Sequence, residues 1–331
     1  MAKPTPKHLS KKQKLEHPNN RRRRKTNINK KSPIKFSLFG SNANGLKSKF
    51  DSLLNVINIF DKPSCITIQE TKLRTNGLNN ILGYQVFQLN RTGLGGGLLT
   101  AAHDDLDPVL IKADIEVELL IIQVKIGNNQ VRIFNAYGPQ ENNFDESLNF
   151  WSSLEKEIIE SRQENCYILI QMDANAKLDS NLHKMSENGR FLLNLVQRQN
   201  LVIFNELPIC KGQVTRHRIT KNNEEKATLE YIVGCDKIST FVENVMIDEE
   251  RLFTLTKYST TKGMIKKCLS DHNILFTSFD LSYGKQVKHA IKGNNSTLTI
   301  LNAKNCSKHL LMKQLNSPIY SRRKKHSSCK H

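Results

Sequence analysis

The hydrophobic residues of the chain fall into short runs between residues 34 and 282, separated by polar or helix-like segments. Many of these runs are rich in β-branched and aromatic residues, which is typical of strands. The pattern predicts strands at 34–42, 64–70, 82–90, 95–103, 117–126, 129–139, 167–173, 201–206, 227–234 and 274–282. The run YILIQMD at 167–173 is almost entirely apolar, as expected of a strand buried on both faces.

Three longer segments have the spacing of an amphipathic helix instead: 45–60, 145–163 and 189–200. In the first of these, apolar residues at 50, 53, 54, 57 and 60 form one helical face. Helices that alternate with strands predict an α/β fold. Because consecutive strands between 84 and 137 look like hairpins, the sheets are expected to be mixed and not purely parallel.

Polar residues stand repeatedly where these apolar runs end. Loops at strand ends, held by a rigid scaffold, are common positions for catalytic groups. The residues concerned are Asn42, Asn44, Glu70, Asn135, Tyr137, Asp173, Asn175, Asn205, Glu230, Asp271 and His272. Each of them alone is equally typical of a turn or a helix cap. As a set they are rich in oxygen ligands, which suit a hard cation such as Mg²⁺, and a cation beside an aspartate and a histidine suits attack of water on phosphorus.

Asp173 and Asn175 are the most informative pair in this set. If the chain stays extended beyond the buried strand, the two side chains lie on the same face. A turn or a helix cap would explain them equally well on local grounds. The residues at the other strand ends are needed to distinguish between the two interpretations.

The positive charge of the chain is concentrated at its two ends. Residues 1–35 contain 13 Lys/Arg and one acidic residue, and residues 282–331 contain 11 Lys/Arg and no acidic residue, whereas the 246 residues between them have 26 basic and 30 acidic side chains. A block such as RRRRK cannot be buried, so we expect a disordered basic arm over 1–35 and a basic tail or linker over 282–331, on either side of a domain at 36–281. The arm is typical of a nuclear-localisation signal or a nucleic-acid-binding segment, with a solubilising tail as the alternative. We therefore expect nuclear localisation.

Cysteine spacing and hydropathy favour an intracellular, reducing compartment. The seven cysteines are scattered without a CxxC motif, so neither a disulfide framework nor a zinc site is expected. The sequence has neither an apolar stretch long enough to cross a membrane nor the apolar segment of a secretory signal, so we expect no membrane partner.

Six motifs occur in a characteristic order: SNANGL at 41–46, IQET at 68–71, NAYGP at 135–139, MDANA at 172–176, LEYIVG at 229–234 and LSDHN at 269–273. Together they resemble the endonuclease/exonuclease/phosphatase superfamily. More narrowly, they are similar to the apurinic-type endonuclease domain of non-LTR, LINE-like retrotransposon polyproteins. The resemblance covers about 36–281, and the glycine run at 93–97 is also placed as in such domains. It implies a four-layer α/β sandwich, in which two mixed β-sheets are flanked by helices and the site lies at one end.

The resemblance also implies roles for individual residues. Asn42, Glu70 and Asp271 would form the metal side of the site. Asp173 would activate the attacking water with help from Asn175, Tyr137 would contact the scissile phosphate, and His272 would stabilise the developing negative charge. The motif position that orients the histidine is normally an aspartate and is Glu230 here, one methylene longer. Either the longer side chain displaces His272, which the flanking sequence favours, or the strand lies further away and Glu has the correct length.

The sequence leaves three functions open. The leading interpretation is a Mg²⁺-dependent endonuclease, with Mn²⁺ as an alternative cation, that nicks duplex DNA and leaves a 3′-hydroxyl primer for reverse transcription. The second is an abasic-site repair endonuclease or another phosphodiesterase of the superfamily. The third is a catalytically degenerate nucleic-acid-binding module, which Glu230 favours. The basic ends suit DNA, and RNA as a further partner, because binding to phosphate backbones is largely electrostatic. The basic loop at 210–227, which contains Arg216, His217 and Arg218, is a candidate DNA-tracking hairpin, with a solvated loop as the alternative.

Overall fold

The computed structural model of the chain describes residues 34–282 except 75–79, 92, 94, 142, 220–223, 261–262 and 269. The predicted arm over 1–35 and the predicted tail over 282–331 therefore lie almost entirely outside the described residues. Lys35, the last residue of the predicted arm, is the first residue of a strand. No helix in the described ranges combines the length and apolar composition needed to span a membrane.

Strands make up most of the described chain. In chain order they are β1 (Lys35–Asn42), β2 (Cys65–Gln69), β3 (Tyr84–Leu89), β4 (Leu98–His103), β5 (Val109–Asp114), β6 (Leu119–Ile126), β7 (Asn129–Tyr137), β8 (Tyr167–Asp173), β9 (Leu201–Ile203), β10 (Cys210–Lys211), β11 (Arg216–Ile219), β12 (Glu224–Ala227), β13 (Glu230–Cys235), β14 (Val242–Ile247), β15 (Leu255–Thr260), β16 (Gly263–Cys268) and β17 (Leu275–Asp280). The α-helices are α1 (Phe50–Ile59), α2 (Phe144–Gln163), α3 (Glu187–Arg198) and α4 (Asp236–Ser239). Short 3₁₀ turns cover Lys47–Lys49, Asp104–Leu106 and Phe204–Glu206.

Two mixed sheets form the centre of the molecule. The first has seven strands in the order β10-β14-β17-β1-β2-β4-β3, and the second has six in the order β5-β6-β7-β8-β13-β9. In each sheet a central pair is parallel, β1 with β2 and β7 with β8, whereas most other neighbours are antiparallel. Strands β1, β2 and β4 lie against β6, β7 and β8, so the sheets pack face to face. The expectation of mixed sheets is confirmed.

Helices cover the outer faces of the two sheets. The buried side of α1, with Leu53, Val56 and Ile57, packs with Phe39 and Ile66 of the first sheet. Helices α2 and α3 pack on the second sheet and on each other. Each of these two begins with a capping side chain: the Asn143 side chain accepts from the backbone of α2, and the Ser186 side chain accepts from the backbone of α3. The result is the four-layer α/β sandwich that the resemblance implies.

Strand alternation determines which residues reach the space between the sheets. In β1, Phe36 and Leu38 belong to the inter-sheet core, whereas Phe39 points outward to α1. Because successive side chains alternate, Asn42 lies on the same inward face as Leu38. The same rule places Asp173 on the inward face of β8, where its carboxylate meets Asn42. Polar side chains at the ends of these strands therefore lie at one end of the space between the two sheets.

Two hairpins stand apart from the main sheets. One is formed by β11 and β12, and the other by β15 and β16. The backbone of His217 donates to the carbonyl of Asp271 (2.7 Å), which joins the first hairpin to the loop that carries His272. Within the basic segment 210–227, β11 and β12 form this hairpin, whereas β10 belongs to the seven-stranded sheet. Contact of the segment with DNA stays a prediction.

Candidate active site

Strand ends from both sheets meet at one end of the sandwich and carry most of the predicted site residues. Asn42 ends β1, Glu70 follows β2, Tyr137 ends β7, Asp173 ends β8 and Glu230 begins β13. Asp173 and Glu230 are direct partners in the ladder between β8 and β13, so their backbones are neighbours. His272 and Asp271 arrive on the loop that precedes β17.

Glu70 and Tyr137 form the more accessible side of this site. The Tyr137 hydroxyl donates to Glu70 Oε1 (2.8 Å), and Asn42 Nδ2 donates to the same oxygen (3.1 Å). Burial alone would raise the pKa of Glu70, but these hydrogen bonds and the charge of Lys72 lower it, so the carboxylate is ionised at neutral pH. Burial and the negative charges of Glu70 and Asp173 raise the pKa of Tyr137, so its hydroxyl keeps its proton.

Asp173 occupies the centre of the site and is almost completely buried. Its Oδ2 accepts from Asn42 Nδ2 (2.7 Å) and its Oδ1 accepts from the backbone N–H of Asn175 (3.1 Å). The chain does not stay extended here, because Asn175 is left-handed with φ +45°. The expectation that strand alternation brings Asp173 and Asn175 to one face is therefore wrong. A turn holds them together instead, and the Asn175 side chain donates to the Gly138 carbonyl (2.8 Å).

His272 lies between two carboxylates. Its Nδ1 is hydrogen-bonded to Glu230 Oε1 and lies 3.9 Å from Asp173 Oδ2. Burial would lower the pKa of His272, but the charge and the hydrogen bond of Glu230 raise it to about 9. Burial and the charge of Glu230 raise the pKa of Asp173 to about 7, although the charge of His272 opposes this rise. The site therefore holds a protonated imidazole beside a carboxylate that titrates near neutrality.

Asp271 lies at the rim, away from Glu70. Its Oδ1 accepts from Asn44 Nδ2 (3.0 Å) and its Oδ2 accepts from Arg216 Nε (3.2 Å). Burial would raise the pKa of Asp271, but the charge of His272 and the bonds from Asn44 and Arg216 lower it to about 2. Among the three residues predicted on the metal side, Asn42 contacts Glu70 directly, whereas Asp271 is connected to it only through other side chains.

Lys72 belongs to the site although the sequence did not identify it as functional, and it lies there beside Asn44, which was among the polar residues at strand ends. Lys72 Nζ lies 3.3 Å from Glu70 Oε2 and donates to Asn44 Oδ1 (2.5 Å). Arg216, which the sequence places in the candidate DNA-tracking segment, contacts Asp271 through its guanidinium. The one signal for Lys72 was its position directly after the IQET motif.

The donor groups of the site fit a divalent cation. Glu70, Asp173 and His272 each offer a ligand atom, and these atoms lie within 4.8 Å of one another. Because His272 Nδ1 is already bonded to Glu230, the carboxylates are the better donors. Among the described residues, the buried Glu230 Oε2 has no hydrogen-bond partner, which makes burial of this oxygen unfavourable. Oxygen ligands of this kind suit Mg²⁺ and Mn²⁺.

Comparisons with known proteins identify the fold. No protein-family model and no curated protein matches the sequence. Solved structures do match: the endonuclease domain of TRAS1, a telomere-specific non-LTR retrotransposon, is 16% identical with a TM-score of 0.54, over 74% of this chain and 99% of that one. The AP endonuclease LMAP from Leishmania major is 15% identical with a TM-score of 0.59, over 75% and 88%. The 3′ phosphatase NExo from Neisseria, bound to a product DNA hairpin, is 13% identical with a TM-score of 0.56, over 74% and 99%.

These neighbours are nucleases and phosphatases, and their fold is the one that the sequence motifs predict. The resemblance is therefore confirmed at the level of the fold, through structures that share few identical residues with the chain. The chain has the fold of the endonuclease/exonuclease/phosphatase superfamily.

Proposed function

We propose that the protein is a divalent-metal-dependent endonuclease that nicks duplex DNA. The observation that carries this proposal is the juxtaposition of Asp173, which titrates near neutrality, with a protonated His272 and the Glu70–Tyr137 pair. General-base catalysis is most efficient when the pKa of the base lies near the working pH. The DNA hairpin bound to NExo supports DNA as the substrate.

Glu70 and Asn42 would hold the cation, with Asp173 close by. Asn42 now presents its amide nitrogen to Glu70 and Asp173, and a half-turn of the amide would present its oxygen instead. A bound Mg²⁺, or Mn²⁺ in its place, would supply positive charge at the phosphate oxygens. Asp271, which contacts Arg216 and Asn44, would support this side of the site from the rim.

The side chains divide the hydrolytic step between them. Asp173 accepts a proton from water as the water oxygen bonds to phosphorus, and Asn175 fixes the orientation of Asp173 through its backbone N–H. The bond between phosphorus and O3′ breaks, and O3′ leaves with a proton from solvent as a 3′-hydroxyl. His272 stabilises negative charge on the phosphate with its imidazolium, which Glu230 keeps protonated and oriented. Tyr137, which keeps its proton, donates to a phosphate oxygen.

The retrotransposon interpretation rests on the TRAS1 likeness and on the motif order. A 3′-hydroxyl at the nick is the end that reverse transcription extends. The basic segments 1–35 and 282–331 would bind the DNA backbone, and RNA as a second partner, and the first would direct the protein to the nucleus. The likeness to LMAP supports a second candidate, cleavage at abasic sites.

Nicking of supercoiled plasmid tests the proposal most directly. We expect Mg²⁺-dependent conversion to open circles whose nicks carry 3′-hydroxyl ends, and we expect Asp173→Asn to lose about 10²–10⁴-fold in rate. Intact and abasic duplexes of the same sequence separate the two enzymatic candidates. A parent protein that binds duplex DNA but does not nick it with Mg²⁺ or Mn²⁺ would identify a binding module and contradict the proposal.

A further inference from the structure

Glu118 is a buried carboxylate next to the site for which the proposed reaction has no role. It directly precedes β6, has a left-handed backbone with φ +44° and is only 6% exposed. Its Oε1 pairs with the Arg91 guanidinium, and its Oε2 accepts from the backbone N–H of Gly97 (3.2 Å). A carboxylate is buried at a considerable cost unless it has partners, so both contacts are needed to keep it there.

The partners of Glu118 lead directly to Glu70. The Gly97 carbonyl accepts from the Thr71 backbone N–H (3.0 Å), and the Gly96 carbonyl accepts from the Lys72 backbone N–H (2.9 Å). These two bonds hold the residues that immediately follow Glu70. Gly97 is thus fixed on one side by the Glu118 side chain and on the other by the Glu70 segment.

The Glu70 segment needs such support because its backbone is unfavourable. Glu70 has φ +47° and Lys72 has φ +52°. A left-handed conformation costs a residue with a side chain about 1–2 kcal/mol, so it persists only where the surroundings impose it. On the opposite side the same segment is held by Gly45 and Leu46, whose N–H groups donate to the Glu70 and Thr71 carbonyls (2.8 and 2.9 Å).

Close packing makes the connection specific. A Cβ atom on Gly96 would collide with the Glu118 carboxylate, and one on Gly97 would lie 2.7 Å from Thr71 Oγ1. The glycines let the loop fit between Glu118 and the Glu70 segment. Glu118 also reaches the site by a second route, because its carbonyl accepts from the Tyr137 N–H (3.1 Å) and the Tyr137 hydroxyl donates to Glu70.

We propose that Glu118, paired with Arg91, is a positioning residue that holds Glu70 in the orientation required to bind the divalent cation. It acts through the Gly96–Gly97 backbone and does not itself contact the cation or the substrate. The inference rests on the proposed function, since it assumes that Glu70 is a cation ligand. Residues that orient metal ligands typically change metal affinity by about 10–100-fold when they are removed.

Mn²⁺ binding, followed by electron paramagnetic resonance without DNA, tests this role independently of activity. We expect Glu118→Ala to weaken Mn²⁺ binding by about 10–100-fold. Glu118→Gln should have a smaller effect, because the amide oxygen can still accept from Gly97. In nicking assays the loss should appear as a higher Mg²⁺ requirement and be largely recovered at saturating Mg²⁺. Arg91→Gln should weaken binding less than Glu118→Ala, and Arg91→Lys should restore it.

The Lys112–Glu157 pair provides a matched control. Glu157 is as buried as Glu118, its carboxylate also pairs with a more exposed cation, and it lies on α2 away from the strand ends. Glu157→Gln should change thermal stability without changing Mn²⁺ affinity. If Glu118→Ala fails to fold, Arg91→Gln decides the question, because the Arg91 side chain is 42% exposed.

Three results would overturn the inference. If folded Glu118→Ala binds Mn²⁺ as tightly as the parent does, the inference is wrong and the proposed function is unaffected. If Glu118→Ala does not fold, the same result in Arg91→Gln has the same meaning. An equal loss of affinity in Glu157→Gln would show that the effect is not specific to Glu118. A parent protein that binds no Mn²⁺ would overturn the proposed function and the inference with it.

Discussion

Asp173→Asn should make the metal-free protein more stable while it slows nicking by about 10²–10⁴-fold. Asp173 is buried beside Glu230, and burial and that neighbouring charge raise its pKa from 3.8 to about 7. At pH 8 the ionised carboxylate therefore disfavours the folded state by about 4 kcal/mol. Asparagine has nearly the same shape and carries no charge, so the substitution removes this penalty.

The gain is reduced by the hydrogen bonds that Asp173 makes. Asp173 accepts from Asn42 and from the Asn175 backbone, and asparagine can keep only one of these as an acceptor. A hydrogen bond to a charged group contributes about 1.5–3 kcal/mol. The net gain in stability is then about 1–2.5 kcal/mol, which corresponds to roughly 2–10 °C in Tm for a domain of this size.

The sign of the pH dependence gives a sharper test than the size of the gain. A carboxylate whose pKa is raised on folding destabilises the protein progressively as pH rises from 3.8 through about 7. The stabilisation by Asp173→Asn should therefore be larger at pH 8 than at pH 5, as measured by thermal unfolding in EDTA. In the parent, Mg²⁺ should raise Tm by more than it does in the variant, since a bound cation offsets the same negative charge.

Asp248→Asn is the matched control for this experiment. Asp248 is also a buried aspartate, but its carboxylate accepts hydrogen bonds from three backbone N–H groups and from the Thr254 hydroxyl. These four hydrogen bonds stabilise the carboxylate in the folded protein. We expect Asp248→Asn to lower Tm at both pH values. A lower Tm for Asp173→Asn at pH 8, or a gain that is equal at pH 5 and pH 8, would refute the electrostatic reasoning about the site.

Three further predictions concern rate and binding. The nicking rate of the Mg²⁺-saturated parent should rise as Asp173 loses its proton, at or below pH 7, and fall as His272 loses its proton near pH 9; a flat profile between pH 6 and 10 would contradict these roles. Glu230→Asp shortens the side chain by on the order of 1 Å and should raise the single-turnover nicking rate by about tenfold, because Glu230 is closely packed against His272; a drop to the rate of Glu230→Ala would show that Glu has the correct length. Deleting residues 1–33 should weaken duplex binding and reduce its log–log salt slope by about 0.9 for each DNA phosphate that the shortened protein no longer neutralises; an unchanged slope would mean that this segment does not touch DNA.

The central strands could be predicted because their apolar runs are buried on both faces. Strand β8 is the best example, and its predicted limits at 167–173 agree with the structure. Strand β5 was not predicted, because it is the edge strand of its sheet and Val109, Leu110 and Ile111 are all exposed. Its apolar residues therefore follow neither the alternation of a half-buried strand nor a continuous buried run. The pairing of the sheets came from the resemblance and not from the periodicity.

The site could be predicted as a set of residues but not as a set of contacts. The hydrogen bond between Asn42 and Asp173 joins residues 131 positions apart, so no local pattern contains it. Asp271 was identified from a sequence motif, as the other site residues were. Its contact with Arg216 could not be predicted in this way, because it arises from the β11–β12 hairpin that lies beside the Asp271 loop. Glu118 has no motif signal at all, since its role depends on a glycine loop that is remote in sequence.

The two carboxylates around His272 have different surroundings, and this difference assigns their roles. Glu230 Oε1 is hydrogen-bonded to His272 Nδ1, and its buried Oε2 has no partner within the described part of the chain, so the contacts of this carboxylate are with the imidazole. Asp173 lies further from Nδ1, at 3.9 Å, and contacts Asn42, which in turn contacts Glu70. Asp173 therefore lies on the side of the site where a cation and a phosphate would bind, and Glu230 does not. Because a carboxylate must reach the attacking water to act as its base, the proposed reaction assigns the base to Asp173 and the orientation of the imidazole to Glu230.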